Sequence, residues 1–205
     1  MLTVLYTYFG QKERIPQIIE QGIKTMIVDD CSNEPLNYIE GIDVLRITDD
    51  IKWNQPGARN LGFQELKSWI ICADIDHLVT KEMYDFLDKM DKLKGTIYFL
   101  KRDLKHGDSC NLYLIHKDDF ERIGGYDEDF SGNYGYDDLY FEYKCKMLLK
   151  IKKLHNPLAE VYAEESSSEG IRDTRINENL INTKITNNQL IPTKRVRFNW
   201  KKVTI

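Results

Sequence analysis

The sequence has no apolar run near the length of a membrane-spanning helix, about 18 residues or more, so no membrane span is expected. It has only four cysteines, Cys31, Cys72, Cys110 and Cys145, and no pair has the spacing of a metal finger or a redox motif. That argues against a zinc module and a disulfide scaffold, and it makes reduced thiols in the cytoplasm the plain expectation. No excess of basic charge is present. Lys and Arg total 29 against 33 Asp and Glu, a formal net charge of -4. A general nucleic-acid or anionic-membrane binder is therefore disfavoured. The start, Met1 to Tyr6, lacks a basic n-region and reads as a first strand rather than a signal peptide. There is no internal repeat. What remains is an ordinary globular composition over 205 residues, 41% hydrophobic and 30% charged, enough for one domain or slightly more.

Strand-like and helix-like segments alternate along the chain. Strands are expected at Thr3 to Phe9, Thr25 to Val28, Asp43 to Ile47, Ser68 to Ala73, Thr96 to Leu100 and Asn111 to His116. Helices are expected at Arg14 to Gln21, Pro56 to Leu66, Lys81 to Leu93, Lys117 to Ile123 and Asp137 to Leu149. The alternation predicts an α/β fold, a mixed and mostly parallel sheet with helices on both faces. From about Ala163 the character changes. Glu164 to Gly170 is a polar loop signal, Ile171 to Ile185 has a helical pattern through Ile176, Leu180, Ile181 and Ile185, and Lys194 to Lys202 is basic and aromatic. The expected division is a core over residues 1–162 and a C-terminal helix and tail over 163–205. The tail either folds back over the core or leads into further domains of a longer polypeptide.

Four constellations carry chemistry. The run Trp69-Ile70-Ile71-Cys72-Ala73 fires directly into Asp74-Ile75-Asp76. A buried strand would deliver these carboxylates to its carboxyl end, where open α/β sheets bind ligands. Two unpaired carboxylates are costly there, and a divalent cation carrying a diphosphate would neutralise them. Alternate residues of an extended segment point to opposite faces, so one carboxylate can bind metal while the other holds a ribose or a water. Oxygen ligands suit Mn²⁺ or Mg²⁺. The second constellation, Asp29-Asp30-Cys31-Ser32, follows another strand and reads either as a turn or as a carboxylate for a uracil N–H or ribose hydroxyls. The third, Gly57-Ala58-Arg59-Asn60, puts an Arg on the first turn of a helix, within reach of a phosphate; an ordinary surface Arg is the plainer alternative. The fourth runs from Gly124-Gly125-Tyr126-Asp127 through Tyr134 and Tyr136 to Asp137-Asp138. Its rings suit the apolar face of an acceptor sugar, although acidic residues at a helix start are favoured by the dipole alone.

In this order and spacing the four motifs resemble the GT-A-fold glycosyltransferases, especially the large inverting nucleotide-sugar transferase family. The resemblance covers roughly Leu2 to Leu149. A narrower resemblance is to virus-encoded transferases that glycosylate a capsid protein. The family implies a metal-dependent hexosyltransferase that moves a sugar from a UDP-sugar to a hydroxyl of a glycan or glycoprotein. The nucleotide-sugar half would end near residue 100, with the acceptor half over 101–162. By matching position, Asp30 contacts uracil or ribose beside Asp29, Thr7 and Tyr8 support the base, and Arg59 lies near the phosphates. Asp74 contacts ribose or metal beside Ile75, Asp76 binds the metal, and His155 is a third metal ligand. Tyr126, Tyr134 and Tyr136 face the acceptor. Asp138 matches the second residue of the family's Glu-Asp pair and is the acceptor-activating base. Asp137 stands where the pair has Glu, and Tyr140 where a further Asp is common, so the base falls on Asp138 or on its neighbour Asp137.

Two competing classes remain. A nucleotidyltransferase shares the layout and the metal, but carries a Gly-rich phosphate loop that Thr7-Tyr8-Phe9-Gly10-Gln11-Lys12 lacks. A non-catalytic nucleotide-sugar-binding module has no need of Asp138.

Overall fold

The computed structural model describes residues 2–102, 108–161, 172–192 and 195–205. The expected polar loop Glu164 to Gly170, the start of the helical pattern at Ile171, and Lys194 lie outside the described residues.

Four parallel strands form the centre: β1 (Leu2–Tyr8), β2 (Thr25–Asp30), β3 (Ile42–Ile47) and β4 (Trp69–Asp74). All seven residues of β1 are buried, as expected for a parallel strand covered on both faces. Successive side chains enter opposite core layers. Val4, Tyr6, Ile27 and Ile71 join one, and Leu5, Val28, Ile70 and Cys72 the other. Beyond these come β5 (His77–Leu78), β6 (Thr96–Arg102), β7 (Asp108–His116), β8 (Lys150–Val161) and β9 (Trp200–Lys202). The described strands form one sheet in the order β5-β8-β6-β7-β4-β1-β2-β3-β9. β7 runs antiparallel to β4 and β6, β8 runs parallel to β6, and β9 runs antiparallel to β3.

The helices are α1 (Ile15–Glu20), α2 (Gln55–Glu65), α3 (Lys81–Lys89), α4 (Lys117–Arg122), α5 (Asp137–Leu148) and α6 (Arg175–Thr186). α2 lies hard against the sheet. A Cβ on Gly62 would come within 2.3 Å of Leu5, so only glycine allows this approach. α3 is capped by the Thr80 side chain accepting from Met83 N at 3.2 Å. It ends at Lys89, short of the expected Leu93, where Met90 turns extended and Lys92 Nζ donates to the carbonyls of Leu87, Asp88 and Met90. Met83 and Leu87 are buried beneath it, whereas Phe86 is exposed.

Three strands escaped sequence reading. β8 reads Lys-Ile-Lys-Lys-Leu-His, too polar for an apolar-run signal, β5 has two residues, and β9 lies in the basic tail. α6 also packs differently from its apolar pattern. Ile176 and Ile185 are exposed, whereas Asn177, Ile181 and Lys184 are buried.

Candidate active site

Parallel register brings the first two motifs to one edge. Thr7 pairs with Asp74 across β1 and β4, and Tyr8 pairs with Asp29 across β1 and β2. The carboxyl ends of β1, β2 and β4 thus place Asp29, Asp30 and Asp74 side by side.

Asp74 is held firmly. Its Oδ1 accepts from Arg59 at 2.7 Å, Gln55 Nε2 at 2.9 Å and Thr7 Oγ1 at 3.2 Å. Three donors on one oxygen orient the carboxylate with the other oxygen turned away from them. Asp76, two residues on, is exposed, with His77 Nδ1 at 2.8 Å from its Oδ1. Among the described residues, Asp74, Asp76 and His77 are a group able to hold a metal ion, with ligand atoms within 4.8 Å of one another. His77 is 3% exposed; its Nδ1 faces Asp76, and its buried Nε2 has no hydrogen-bond partner. Burying an imidazole in that state is costly, and a cation bound beside the two carboxylates would offset the cost. The residues therefore fit a divalent metal. The third member is His77 rather than His155, whose side chain is exposed on β8 and lies outside this group. The signal for His77 was adjacency to the acidic motif, since Asp-x-Asp-His puts three donors in four residues.

Asp29 and Asp30 have separate duties. Asp29 is fully buried, accepts from the backbone amides of Ser32 and Leu36 at 2.9 and 3.0 Å, and pairs with Arg46 at 2.5 Å. It organises the turn that sequence reading offered as one alternative, and its oxygens are already engaged. Asp30 accepts from Asn54 Nδ2 at 3.1 Å. Burial pushes its carboxyl up to about 7, with Asp29 and Asp50 adding to the rise and the Asn54 bond opposing it. Tyr8 and Ile75, expected at the nucleotide, have buried side chains in the core. They shape the edge from beneath.

Arg59 is 0% exposed, so it is not the surface residue that the sequence offered as the plainer alternative. Its guanidinium bridges Asp74 at 2.7 Å and Asp137 at 3.2 Å, and lies 4.7 Å over the ring of Tyr126. Tyr126 itself is fully buried, stacked on Phe141 with centroids 4.1 Å apart and bonded to the Tyr113 hydroxyl at 3.2 Å. That leaves no ring face for an acceptor. Tyr134 and Tyr136 remain partly exposed. Tyr134 meets Trp53 edge-on at 4.8 Å, a partner that sequence reading missed. Both Trp53 and Tyr136 have positive φ, 52° and 69°. Bulky residues in that region cost about 1–3 kcal/mol and gather at functional sites.

Tyr136 precedes α5, whose first turn carries Asp137 and Asp138. Burial pushes Asp137 up to about 6; Arg59 opposes the rise, and Asp138 and Asp74 add to it. Asp138 Oδ1 accepts from Leu139 N at 2.7 Å, and its Oδ2 lies 3.3 Å from the Cys110 thiol. Burial and Asp138 together push Cys110 up to about 12, so this thiol stays protonated and donates. Two hollows, of about 460 and 520 Å³, flank Ile191 and Pro192, and neither includes Asp74, Asp76 or Asp138.

The arrangement is the GT-A fold of glycosyltransferases, a mixed, mostly parallel sheet with acidic residues at its carboxyl edge. No family model and no curated protein sequence matches the chain. Solved structures do. S. aureus TarS 1-349, in complex with UDP-GlcNAc, superposes with a TM-score of 0.67 at 14% identity, over 91% of this chain and 66% of that chain. The catalytic domain of Drosophila beta1,4galactosyltransferase 7, in complex with xylobiose, gives 0.60 at 14% identity, over 86% and 79%. The mannosyltransferase PcManGT from Pyrobaculum calidifontis, in complex with GDP-Man and Mn²⁺, gives 0.59 at 12% identity, over 95% and 65%. Among the described residues, no helix is long and apolar enough to cross a membrane.

Proposed function

We propose that this chain is a metal-dependent, inverting glycosyltransferase that moves a hexose from a UDP-sugar to a hydroxyl of a glycan or glycoprotein. The observation that carries the reading is the Asp74, Asp76 and His77 group at the sheet's carboxyl edge, with a buried imidazole whose Nε2 has no hydrogen-bond partner. The nucleotide-sugar complexes of the structural neighbours support it. Residues 1–162 supply the catalytic core, and 163–205 pack on it or follow it.

In this reading Asp30, ionised, accepts from the uracil N–H. Asp74 and Asp76, with His77, hold Mn²⁺ or Mg²⁺. Such a cation, when bound, offsets the charge that develops on the departing diphosphate. Asp138 accepts the acceptor hydroxyl's proton as its oxygen bonds to the anomeric carbon. The bond from that carbon to the diphosphate oxygen breaks with its electron pair leaving on UDP. A single displacement through an oxocarbenium-like state inverts the centre. Tyr134 and Tyr136, with Trp53, offer ring faces to the acceptor. The nucleotidyltransferase alternative finds no support in the loop after β1, where Phe9, Gln11 and Lys12 stand in place of glycines.

The test is calorimetric titration of UDP with Mn²⁺ and then with EDTA. Binding that requires Mn²⁺ is expected. Equal affinity in both overturns the metal role, and stronger binding of GDP or dTDP overturns the assignment of Asp30 to uracil.

A further inference from the structure

Arg59 is the one fully buried side chain that touches both the donor-side and the acceptor-side acids among the described contacts. Its Nη2 bonds Asp74 Oδ1 and its Nη1 bonds Asp137 Oδ2, at side-chain exposures of 0%, 15% and 14%. Its position is set from all sides. Tyr126 supports its face. The next residue, Asn60, donates to Tyr126 O at 3.0 Å and accepts from Tyr126 N at 2.9 Å. The guanidinium therefore cannot swing away without breaking the core. Its planar fork is suited to holding two carboxylates in fixed relation.

We propose that Arg59 is a positioning residue that couples the metal–diphosphate site to the start of α5, so that donor binding and the geometry of the acceptor-side acids are linked. The inference rests on the proposed function. One cation divided between two anions is the physical basis. While Asp137 is ionised it draws part of the Arg59 charge, and Asp74 keeps more of its own for a metal. With Asp137 neutral, Arg59 pairs with Asp74 alone and opposes a cation there. Coupling of this kind is reciprocal. A metal taking up the charge of Asp74 tightens the Arg59–Asp137 pair and fixes the first turn of α5, where Asp138 sits.

The experiment compares two variants that each remove one charge with one that keeps it. Mn²⁺-dependent UDP affinity is measured by calorimetry for wild type, Asp137→Asn, Asp137→Glu and Asp138→Asn, with melting in EDTA as the folding control. Asp137→Asn is expected to weaken binding about tenfold, the scale of an opposite charge within a few ångströms. Asp138→Asn, which lacks the Arg59 contact, is expected to change it less than about twofold, its charge being further removed and more screened. Asp137→Glu restores the charge and is expected to restore affinity. Equal losses in Asp137→Asn and Asp138→Asn, or no loss in either, overturn the coupling while leaving the proposed function standing. Wild type that binds UDP without regard to Mn²⁺ overturns both.

Discussion

At the scale of single residues, the proposed function assigns donor binding and acceptor activation to two different carboxylates. Asp76→Asn is expected to lose Mn²⁺-dependent UDP binding while keeping the fold, because its side chain is 56% exposed and lies at a strand end. Removing repulsion between it and Asp74 favours the metal-free protein. Calorimetry together with a melting curve checks this, and full retention of affinity would reduce Asp76 to a loop residue. Asp138→Asn is expected to leave UDP affinity nearly unchanged and to lower transfer by about 10²-fold or more, the scale of a positioned base. Donor hydrolysis, with water in place of the sugar hydroxyl, provides the assay before an acceptor is known. If Asp137→Asn instead abolishes turnover and Asp138→Asn does not, the base is the first residue of the pair.

Asp30 adds a pH dependence. Burial raises its folded carboxyl from 3.8 to about 7. The protonated acid is therefore favoured by folding, and the stability this contributes is complete below about pH 4 and lost as pH rises through about 7. Asp137, raised to about 6, acts in the same direction. Melting temperature is expected to fall between about pH 4 and 7 and to level off above that. Asp30→Asn should flatten that fall and raise the melting temperature at pH 8. Its UDP affinity should drop, because the ionised acceptor for the base is gone. A profile for Asp30→Asn that matches wild type would show that Asp30 titrates normally.

At the scale of elements, α6 holds the loop that precedes α5 by polar contacts. Asn177 Nδ2 donates to the carbonyls of Phe130, Asn133 and Gly135 at 3.0, 2.9 and 2.8 Å, and Lys184 pairs with Asp127 and Asp129, each at 2.8 Å. Three carbonyls of one loop converge on one amide, so the conformation that sets Tyr134, Tyr136 and the start of α5 depends on a helix some 40 residues later in the chain. Asn177→Ala leaves those buried carbonyls unpaired, at about 1–3 kcal/mol. Faster amide exchange across residues 130–138 is expected, with Mn²⁺–UDP affinity little changed. Exchange that stays at the wild-type rate would show that the loop holds itself. The motifs were legible here and the support was not. Asp74, Asp76, Asp30 and Asp138 stand out because acids after apolar runs break a pattern. Asn177 and Lys184 look like the solvated face of a helix, and only contact with the loop distinguishes them.

At the scale of the whole molecule, the C-terminal tail joins the two halves. Val196 N and Arg197 N donate to Glu128 at 2.6 and 3.2 Å, Asn199 N donates to Asp49 at 2.9 Å, and β9 pairs with β3. Phe198 packs against Gly57 so tightly that a Cβ there would lie 2.5 Å from the ring. Phe198→Ala is expected to lower unfolding stability in urea by about 3 kcal/mol or more. It should also weaken UDP binding, because the ring backs the start of α2, where Asn54, Gln55 and Arg59 reach Asp30 and Asp74. Unchanged stability would make the tail a mere appendage.

The sequence by itself determined the α/β alternation, the central parallel strands and the acids at their carboxyl ends. These follow from local rules, since continuous apolar runs bury on both faces and polar residues after them must lie at an edge. Only the tertiary structure decided which acids are free and which are spent. Asp29 and Asp30 are neighbours of one type, but Arg46 and two backbone amides reach only Asp29. Arg59 can read as an ordinary surface residue until α2 is seen pressed against the sheet by Gly62. His155 and His77 are told apart only by strand placement, and Tyr126 from Tyr134 only by the ring of Phe141. In each case the deciding partner is distant in sequence, and side-chain burial is a property of the assembled layers rather than of any local run.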